Sequence, residues 1–522
     1  MSRSSATPDP SPPRGLTRRR LIQAGAVAGA GAALPFAAAG CAADDADGSE
    51  GVRNVVLIVL DSLRPDFVGA YGSRRVITPN IDALAAGGLR FNRAFPEALV
   101  TVPARRSIYT GQRIFPYRDF EPYADLGVSP GWTPIDDLDR TVVKVLGDAG
   151  YRTVQVTDNP PVGFSNSYRP FRLSWDDWVS IEGRVGTRND PDTVSDREVR
   201  RWLPRGLWEN ERYVNGMKKN LANTGYGREE EESDAARVFK EARGKLEGLA
   251  RDSQPFLLTI DCFDPHEPWS PTEEYIDLYG DPDYDGSEIG VVQYGAAGSL
   301  TTDELRRARA CYAASTTMTD RWLGHFMEGF RELGLDSNTA VILLSDHGFL
   351  LGERGWIGKI PDSLHPELAQ VPFVVVHPDG RAAGEVSYHF ASTHDVAPTI
   401  LALLGVEAPG WMNGQDLSVI LDGEEPPARD WHYGGMFNRF FVRTDQWVLL
   451  GDNLGGNRKL FDLQLDPGEW RDVAPQNEDV AEELYRRLVA ETGELPYYDS
   501  DVLERQIARK REEIGWEDPQ RN

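Results

Sequence analysis

The chain predicts an α/β fold: a large, mostly parallel sheet with helices on both faces, followed by a small C-terminal subdomain of antiparallel strands. Three observations carry this expectation. Short apolar runs rich in Val, Ile and Leu recur along the chain, helical periodicity fills the gaps between them, and the texture changes after about residue 410. A strand that reads apolar throughout belongs in a parallel sheet buried on both faces. Strands alternating with helices build such a sheet.

Taken in order, Val55–Leu60 is the first strand of this kind. Thr78-Pro79-Asn80 is a helix start, with Pro at an early position where its missing N–H costs nothing, and the helix runs over Ile81–Gly87. Thr141–Gly150 reads as a helix stopped by glycine, and Tyr151–Thr157 as the next strand. Phe256–Cys262, Ala340–Ser345 and Val371–His377 are further strands, with helices over Asp303–Arg331 and Val396–Leu404. Residues 180–245 are charged and weakly patterned, and include Glu229-Glu230-Glu231-Glu232. They read as a surface insertion over the sheet, with a helix from Asp234 to Ala250. Phe437–Arg443, Gln446–Leu450 and Lys459–Leu463 read as antiparallel strands, and Asn477–Thr492 as a closing helix.

The chain has 522 residues, is 40% apolar and 26% charged, and carries a net charge of −26. Such acidity argues against nucleic acid as a partner, because a phosphate backbone needs a basic footprint. It leaves room for a small anion held by local Arg and Lys. At the N-terminus, Thr17-Arg18-Arg19-Arg20-Leu21-Ile22 resembles a twin-arginine export signal, and an Ala/Gly-rich run follows to Ala39. Ala38-Ala39-Gly40-Cys41 resembles a lipobox, which makes Cys41 the lipidated residue; a plain cleavable signal or a retained anchor would also fit these residues. The expected location is the cell envelope, lipid-anchored, or outside the cell. Residues 42–52 read as an acidic tether. No later stretch has the roughly 20 apolar residues of a membrane span, so contact with a membrane is expected only through the N-terminus. Beyond Cys41 only Cys262 and Cys311 remain, read as two buried thiols or one bridge. Oligomeric state is not legible.

Asp61 directly follows the first strand, and Asp346-His347 follows the apolar run Val341–Leu344. Ligands gather at the carboxyl ends of strands in open α/β sheets. An Asp on one strand end and Asp-His on another can hold one divalent ion between them. Oxygen donors with a single imidazole suit Mn, Mg, Ca or Zn, and spacing does not choose among them.

These residues belong to a longer ordered series. Val55–Gly72, Thr78-Pro79-Asn80, Thr101–Gly111, Asp264-Pro265-His266-Glu267-Pro268-Trp269, and Ser345–Gly355 with Gly358-Lys359 occur in the order found in the sulfatases. Phe461-Asp462-Leu463 with Asp466-Pro467-Gly468-Glu469 resembles that family's C-terminal subdomain. The resemblance implies an alkaline-phosphatase-like α/β/α sandwich, with a catalytic domain over residues 53–408 and the subdomain over 409–522. Asp346-His347 with Lys359 twelve residues on is similar to the branch that includes phosphonate monoester hydrolases.

The resemblance also implies roles. Asp61, Asp346 and His347 match metal ligands, with the Thr101 oxygen completing the site. Arg105 would stabilise the nucleophile or its ester, from the first turn of a helix beginning near Pro103. Lys359 would bind the non-bridging oxygens of the transferred group, and His266 would contact that group or protonate the leaving oxygen. Asn159, after the strand Tyr151–Thr157, is placed to line the pocket. Two positions depart from the family. Ser62 stands where a second Asp is usual, and Thr101 stands where Cys or Ser is oxidised to formylglycine. Oxidised threonine would be a ketone, so no formylglycine is expected. The implied activity is metal-dependent hydrolysis of a sulfate, phosphate or phosphonate ester through a covalent threonine ester. Transfer of a phospho-head-group to an envelope acceptor, or a non-catalytic binding role, are the alternatives.

Overall fold

The computed structural model describes residues 51–513 except 119, 128, 185–187 and 226–228. The predicted export signal, Cys41 and most of the acidic tether lie outside the described residues. Eight strands form the main sheet: β1 (Asn54–Leu60), β2 (Leu89–Phe91), β3 (Arg152–Thr157), β4 (Asp177–Ser180), β5 (Phe256–Cys262), β7 (Thr339–Ser345), β10 (Phe373–Val376) and β11 (Val386–Ser387). Their spatial order is β11-β2-β10-β7-β1-β5-β3-β4. β1 lies between β5 and β7 and is parallel to both, so Leu60 is level with Cys262 and Ser345. Only β10 is reversed, antiparallel to both β7 and β2.

β1, β5 and β7 are buried at every residue, as strands covered on both faces must be. The alternation of side chains divides them between two cores. Val56, Ile58 and Leu60 pack with helices Asp234–Leu249 and Thr302–Glu332 on one face. Val55, Leu57 and Val59 pack with helices Thr101–Thr110 and Val396–Leu403 on the other. The long helix Thr302–Glu332 starts at a capping box in which Thr301 and Glu304 satisfy each other's backbone N–H groups.

The charged stretch 180–245 is not a surface addition. Trp202, Leu203, Met217, Leu221, Val238 and Phe239 all enter the same core as β1 and β5. In its acidic run Glu229 and Glu231 are exposed while Glu230 pairs with Tyr275 and Arg321, and the helix that follows presents an apolar face to the sheet. Cys262 and Cys311 are buried free thiols. Among the described residues no helix is long and apolar enough to cross a membrane.

Two smaller sheets complete the molecule. β6 (Gly295–Ala296), β8 (Leu350–Leu351) and β9 (Trp356–Gly358) form one, and β9 delivers Lys359. β12 (Trp431–Met436), β13 (Arg439–Thr444), β14 (Trp447–Asp452) and β15 (Lys459–Asp462) form an antiparallel sheet, backed by helix Glu478–Thr492. Phe437 is not in a strand but in the β12–β13 turn, at φ 53°. β12 was not expected, because Gly434-Gly435 weakens its strand pattern. Those glycines allow close approach: a Cβ on Gly434 would lie 2.4 Å from the Glu97 carbonyl oxygen. Gly435 thereby exchanges backbone hydrogen bonds with Glu97 (2.9 Å) and Leu99 (3.0 Å), just ahead of Thr101.

Candidate active site

Thr101 opens helix Thr101–Thr110 as its first residue, two positions before the start expected at Pro103. Pro103 is tolerated because first-turn N–H groups have no helical partner. Arg105 therefore begins the second turn, one turn below Thr101 on the same face. Its Nη1 donates to the Thr101 carbonyl at 3.3 Å.

Arg105 is 0% exposed and carries its charge into the sheet. Nη1 lies 3.0 Å from Asp61 Oδ2 and also contacts Asp346 Oδ2. Nη2 lies 2.6 Å from Asp261 Oδ1, and Nε donates to Asp261 Oδ2 at 3.2 Å. Asp61 follows β1 and Asp346 follows β7 at the same level, and Asp261 sits in β5 level with Val59, two residues earlier along the strands. Asp261 was missed in the sequence, although an acid inside a buried apolar strand was a visible signal.

Three buried carboxylates around one guanidinium leave an excess of negative charge. Burial, then the neighbouring charge of Asp346, push Asp61 well above the usual carboxylate range. Burial also raises Asp261. At Asp346 burial acts upward, but Arg105 and then His347 outweigh it and hold the group below its ordinary value.

His347 Nδ1 donates to the Gly348 carbonyl at 2.7 Å, which turns the Nε2 lone pair toward the carboxylates. Nε2 is 3.4 Å from Asp346 Oδ2, 3.6 Å from Asp61 Oδ1 and 3.4 Å from Thr101 Oγ1. Burial lowers its pKa to about 4, so it is a neutral donor at physiological pH. Ligand atoms of Asp61, Asp346 and His347 lie within 4.8 Å of one another. The donor set fits a divalent cation: two carboxylates, one neutral imidazole, and charge left uncompensated.

Ser62 supports this set. At φ 63° it donates its hydroxyl to Asp61 Oδ1 at 2.9 Å and its N–H to Asp346 Oδ1 at 3.0 Å. Asn159, expected to line the pocket, is turned to Asp61. It is fully buried, its Oδ1 caps helix Pro160–Phe164 by accepting from Val162 N at 3.3 Å, and its Nδ2 donates to Asp61 Oδ2 at 3.4 Å.

Lys359 and His266 form a second group. Lys359 Nζ donates to His266 Nε2 at 2.7 Å, and His266 Nδ1 donates to the Glu267 carbonyl at 2.6 Å. The His266 ring stacks on Phe263 with centroids 4.0 Å apart. Burial, then the Lys359 charge, hold His266 well below its ordinary pKa. The same ammonium acts on Asp61 and His347, so it overlooks the candidate metal cluster. Tyr294, for which the sequence offered no signal, stands beside this pair. Its ring is 38% exposed and 5.8 Å from Lys359 Nζ, and its hydroxyl donates to the Glu267 carboxylate. A cleft of about 1520 Å³ beside the start of the long helix, lined by Arg75, Arg205, Trp208 and Arg307 among others, contains none of these residues.

Thr101, Arg105, Asp61, Asp346, His347, His266 and Lys359 thus converge at the carboxyl end of the sheet. The sulfatase family pattern spans residues 53–406. The chain belongs to the sulfatase family. The C-terminal pattern of N-sulphoglucosamine sulphohydrolase matches residues 352–494. An arylsulfatase of Clostridium perfringens is 26% identical over 455 residues, covering 80% of this chain and 89% of its own. The multifunctional alkaline phosphatase superfamily protein PehA of Trinickia caryophylli is 28% identical over 446 residues, covering 76% and 82%. The solved phosphonate monoester hydrolase SpPMH of Silicibacter pomeroyi superposes with a TM-score of 0.64 at 20% identity, covering 85% of this chain and 96% of that one. This sulfatase-family chain has the alkaline-phosphatase-like fold and is an ester hydrolase of that superfamily.

Proposed function

We propose that the protein hydrolyses a small anionic ester of sulfate, phosphate or phosphonate through a covalent ester of Thr101, aided by one divalent ion. The observation that carries this reading is Thr101 Oγ1 placed 3.4 Å from His347 Nε2, inside the group Asp61, Asp346 and Arg105. Asp61, Asp346 and His347 would hold Mn, Mg, Ca or Zn, with the Thr101 oxygen beside them. When bound, the ion supplies a lowered pKa for the threonine hydroxyl. The names of the relatives, an arylsulfatase and a phosphonate monoester hydrolase, support esters of those acids.

Thr101 Oγ forms a bond to sulfur or phosphorus while the bond to the leaving oxygen breaks. The hydroxyl proton passes to solvent in this step, and a solvent proton restores the hydroxyl when Thr101 is displaced in the next. Lys359 and His266 share a proton across 2.7 Å and supply it to the leaving oxygen. Arg105 and the N-terminal end of helix Thr101–Thr110 stabilise the charge that develops. Water then attacks the sulfur or phosphorus, returns a proton to the Lys359–His266 pair and displaces Thr101. Threonine requires this second displacement, because its ester cannot collapse to an aldehyde.

Metal-loaded protein assayed on aryl sulfate, phosphate mono- and diesters and phosphonate monoesters, with intact-mass analysis for an adduct at Thr101, tests the reading. Turnover without any threonine adduct under single-turnover trapping would remove the covalent step. Export by the twin-arginine route with lipidation at Cys41 belongs to the same proposal. A Cys41→Ser protein that still partitions with membranes would overturn it.

A further inference from the structure

Arg184 lies outside every motif, in the charged stretch after β4, yet its side chain is only 5% exposed. It grips the loop that bears His266. Nη1 donates to the carbonyls of His266 at 2.9 Å and Pro268 at 3.3 Å, and Nη2 donates to Asp264 Oδ1 at 2.6 Å. Its guanidinium carbon lies 5.2 Å from the centroid of the Phe263 ring, the ring on which the His266 imidazole stacks. Arg184 thus touches both the backbone of His266 and the surface that sets the imidazole plane.

The grip is itself anchored in the core. Arg184 Nε lies 3.4 Å from Asp234 Oδ2 and 3.8 Å from Asp158 Oδ2. Asp158 Oδ1 accepts the Phe263 N–H at 2.7 Å, so one carboxylate steadies both partners. Asp234 opens helix Asp234–Leu249, and a Cβ on Gly183 would lie 1.8 Å from Asp234 Oδ1. A larger residue at Gly183 would displace the Asp234 carboxylate that Arg184 faces.

We propose that Arg184 is a positioning residue for the ester chemistry: it sets His266 Nε2 in register with Lys359 and the transferred anion, which makes the stretch 180–245 part of the catalytic apparatus. The inference rests on reading His266 and Lys359 as the proton-shuttling pair. A planar fork meets two carbonyls and a carboxylate at once; a lysine ammonium cannot copy that geometry. Misplacing a catalytic group by about 1 Å costs on the order of 10²-fold in rate.

The test compares Arg184→Gln and Arg184→Lys in the wild-type and His266→Gln backgrounds, with Tm and bound metal measured for each. Arg184→Gln is expected to lower kcat about 10- to 100-fold with little change in KM or bound metal. In the His266→Gln background its effect on kcat is expected to shrink below about twofold, because no imidazole remains to be placed. Equal losses in both backgrounds would overturn the proposal, and so would an unchanged kcat in folded Arg184→Gln. If Arg184→Gln does not fold, Arg184→Lys carries the same comparison. A second readout needs no turnover: the nitrogen-15 signals of His266 in selectively labelled protein. They are expected to shift in Arg184→Lys, and unaltered signals would overturn the assignment. Wild-type protein silent on every ester would sink the hydrolase reading alone, and the imidazole signals would still decide Arg184.

Discussion

Arg105 and Arg184 are both buried, and each gathers three aspartates. Arg105 meets Asp61, Asp261 and Asp346; Arg184 meets Asp158, Asp234 and Asp264. Both groups hold more negative than positive charge on side chains at most 6% exposed, and in both burial raises the pKa of at least one carboxylate. They differ in what else is present. Around Arg105 an imidazole joins the carboxylates, and ligand atoms of Asp61, Asp346 and His347 converge within 4.8 Å. Around Arg184, among the described residues, no imidazole joins the carboxylates: the His266 ring faces Lys359, and the arginine's remaining donors go to backbone carbonyls. The same charge excess therefore accompanies a candidate cation site in one place and a grip on a loop in the other. Geometry, not charge count, separates a reactive cluster from a structural one.

The largest effect that could break this distinction is at Thr101. Thr101→Ala is expected to lower kcat/KM by at least about 10³-fold, while Thr101→Ser, which keeps a hydroxyl, retains most of it. Steady-state rates on one active ester measure both. Comparable rates in Thr101→Ala and wild type would mean that the Arg105 group is no more reactive than the Arg184 group.

Next in size is the loss of Arg105. Arg105→Gln leaves Asp61, Asp261 and Asp346 without their guanidinium, and removing one partner of a buried ion pair costs about 3–5 kcal/mol. A large fall in Tm is expected. Divalent metal should recover part of it, because a ligand that binds only the folded state stabilises that state. In Arg184→Gln, whose metal-site candidates are intact, metal should raise Tm only as much as it does in wild type. Thermal unfolding with and without added metal reads the contrast directly, and equal responses in the two variants would erase it.

His266→Gln sharpens the role of the second group. If the Lys359–His266 pair protonates the leaving oxygen, kcat should fall about 10²-fold for an ester with a basic leaving group and much less for one with an acidic leaving group. A leaving-group series measures the slope; the same loss across the series would assign His266 to anion binding instead.

Much of this was legible in the sequence, and the reasons for the exceptions are physical. Asp61 and Asp346-His347 stood out because each ends an unbroken apolar run, a local signal that needs no partner. Helices with strong periodicity, such as Thr302–Glu332, were also plain. The start of the helix at Thr101 was not, since Thr101 and Val102 are β-branched and Pro103 suggested a later beginning. Asp261 was passed over although it interrupts an apolar strand, because its partner Arg105 is 156 residues away and nothing local marks the pair. Arg184 was hidden twice over. It lies in a stretch whose charge resembles solvated surface, and every contact that buries it comes from elsewhere in the chain. β12 was obscured by Gly434-Gly435, whose value lies in close approach to Glu97 rather than in strand propensity.

The smallest effect concerns how the Arg184 group carries its excess charge. Burial pushes Asp234 up to about 6. A carboxyl whose folded pKa is raised contributes stability that is fully present below its unfolded value, near 3.8, and lost as pH rises through about 6. Wild-type Tm should therefore decline across that window relative to Asp234→Asn, whose amide does not ionise. The Tm difference, wild type minus variant, is expected to be more positive at the acidic end and to shrink by neutral pH. Circular dichroism melts at a series of pH values would show it. A flat difference would mean that Asp234 stays ionised throughout, with Arg184 neutralising it fully. The clamp would then hold its charge as the catalytic group holds Asp346, and the contrast between the two arginines would rest on the converging ligands alone.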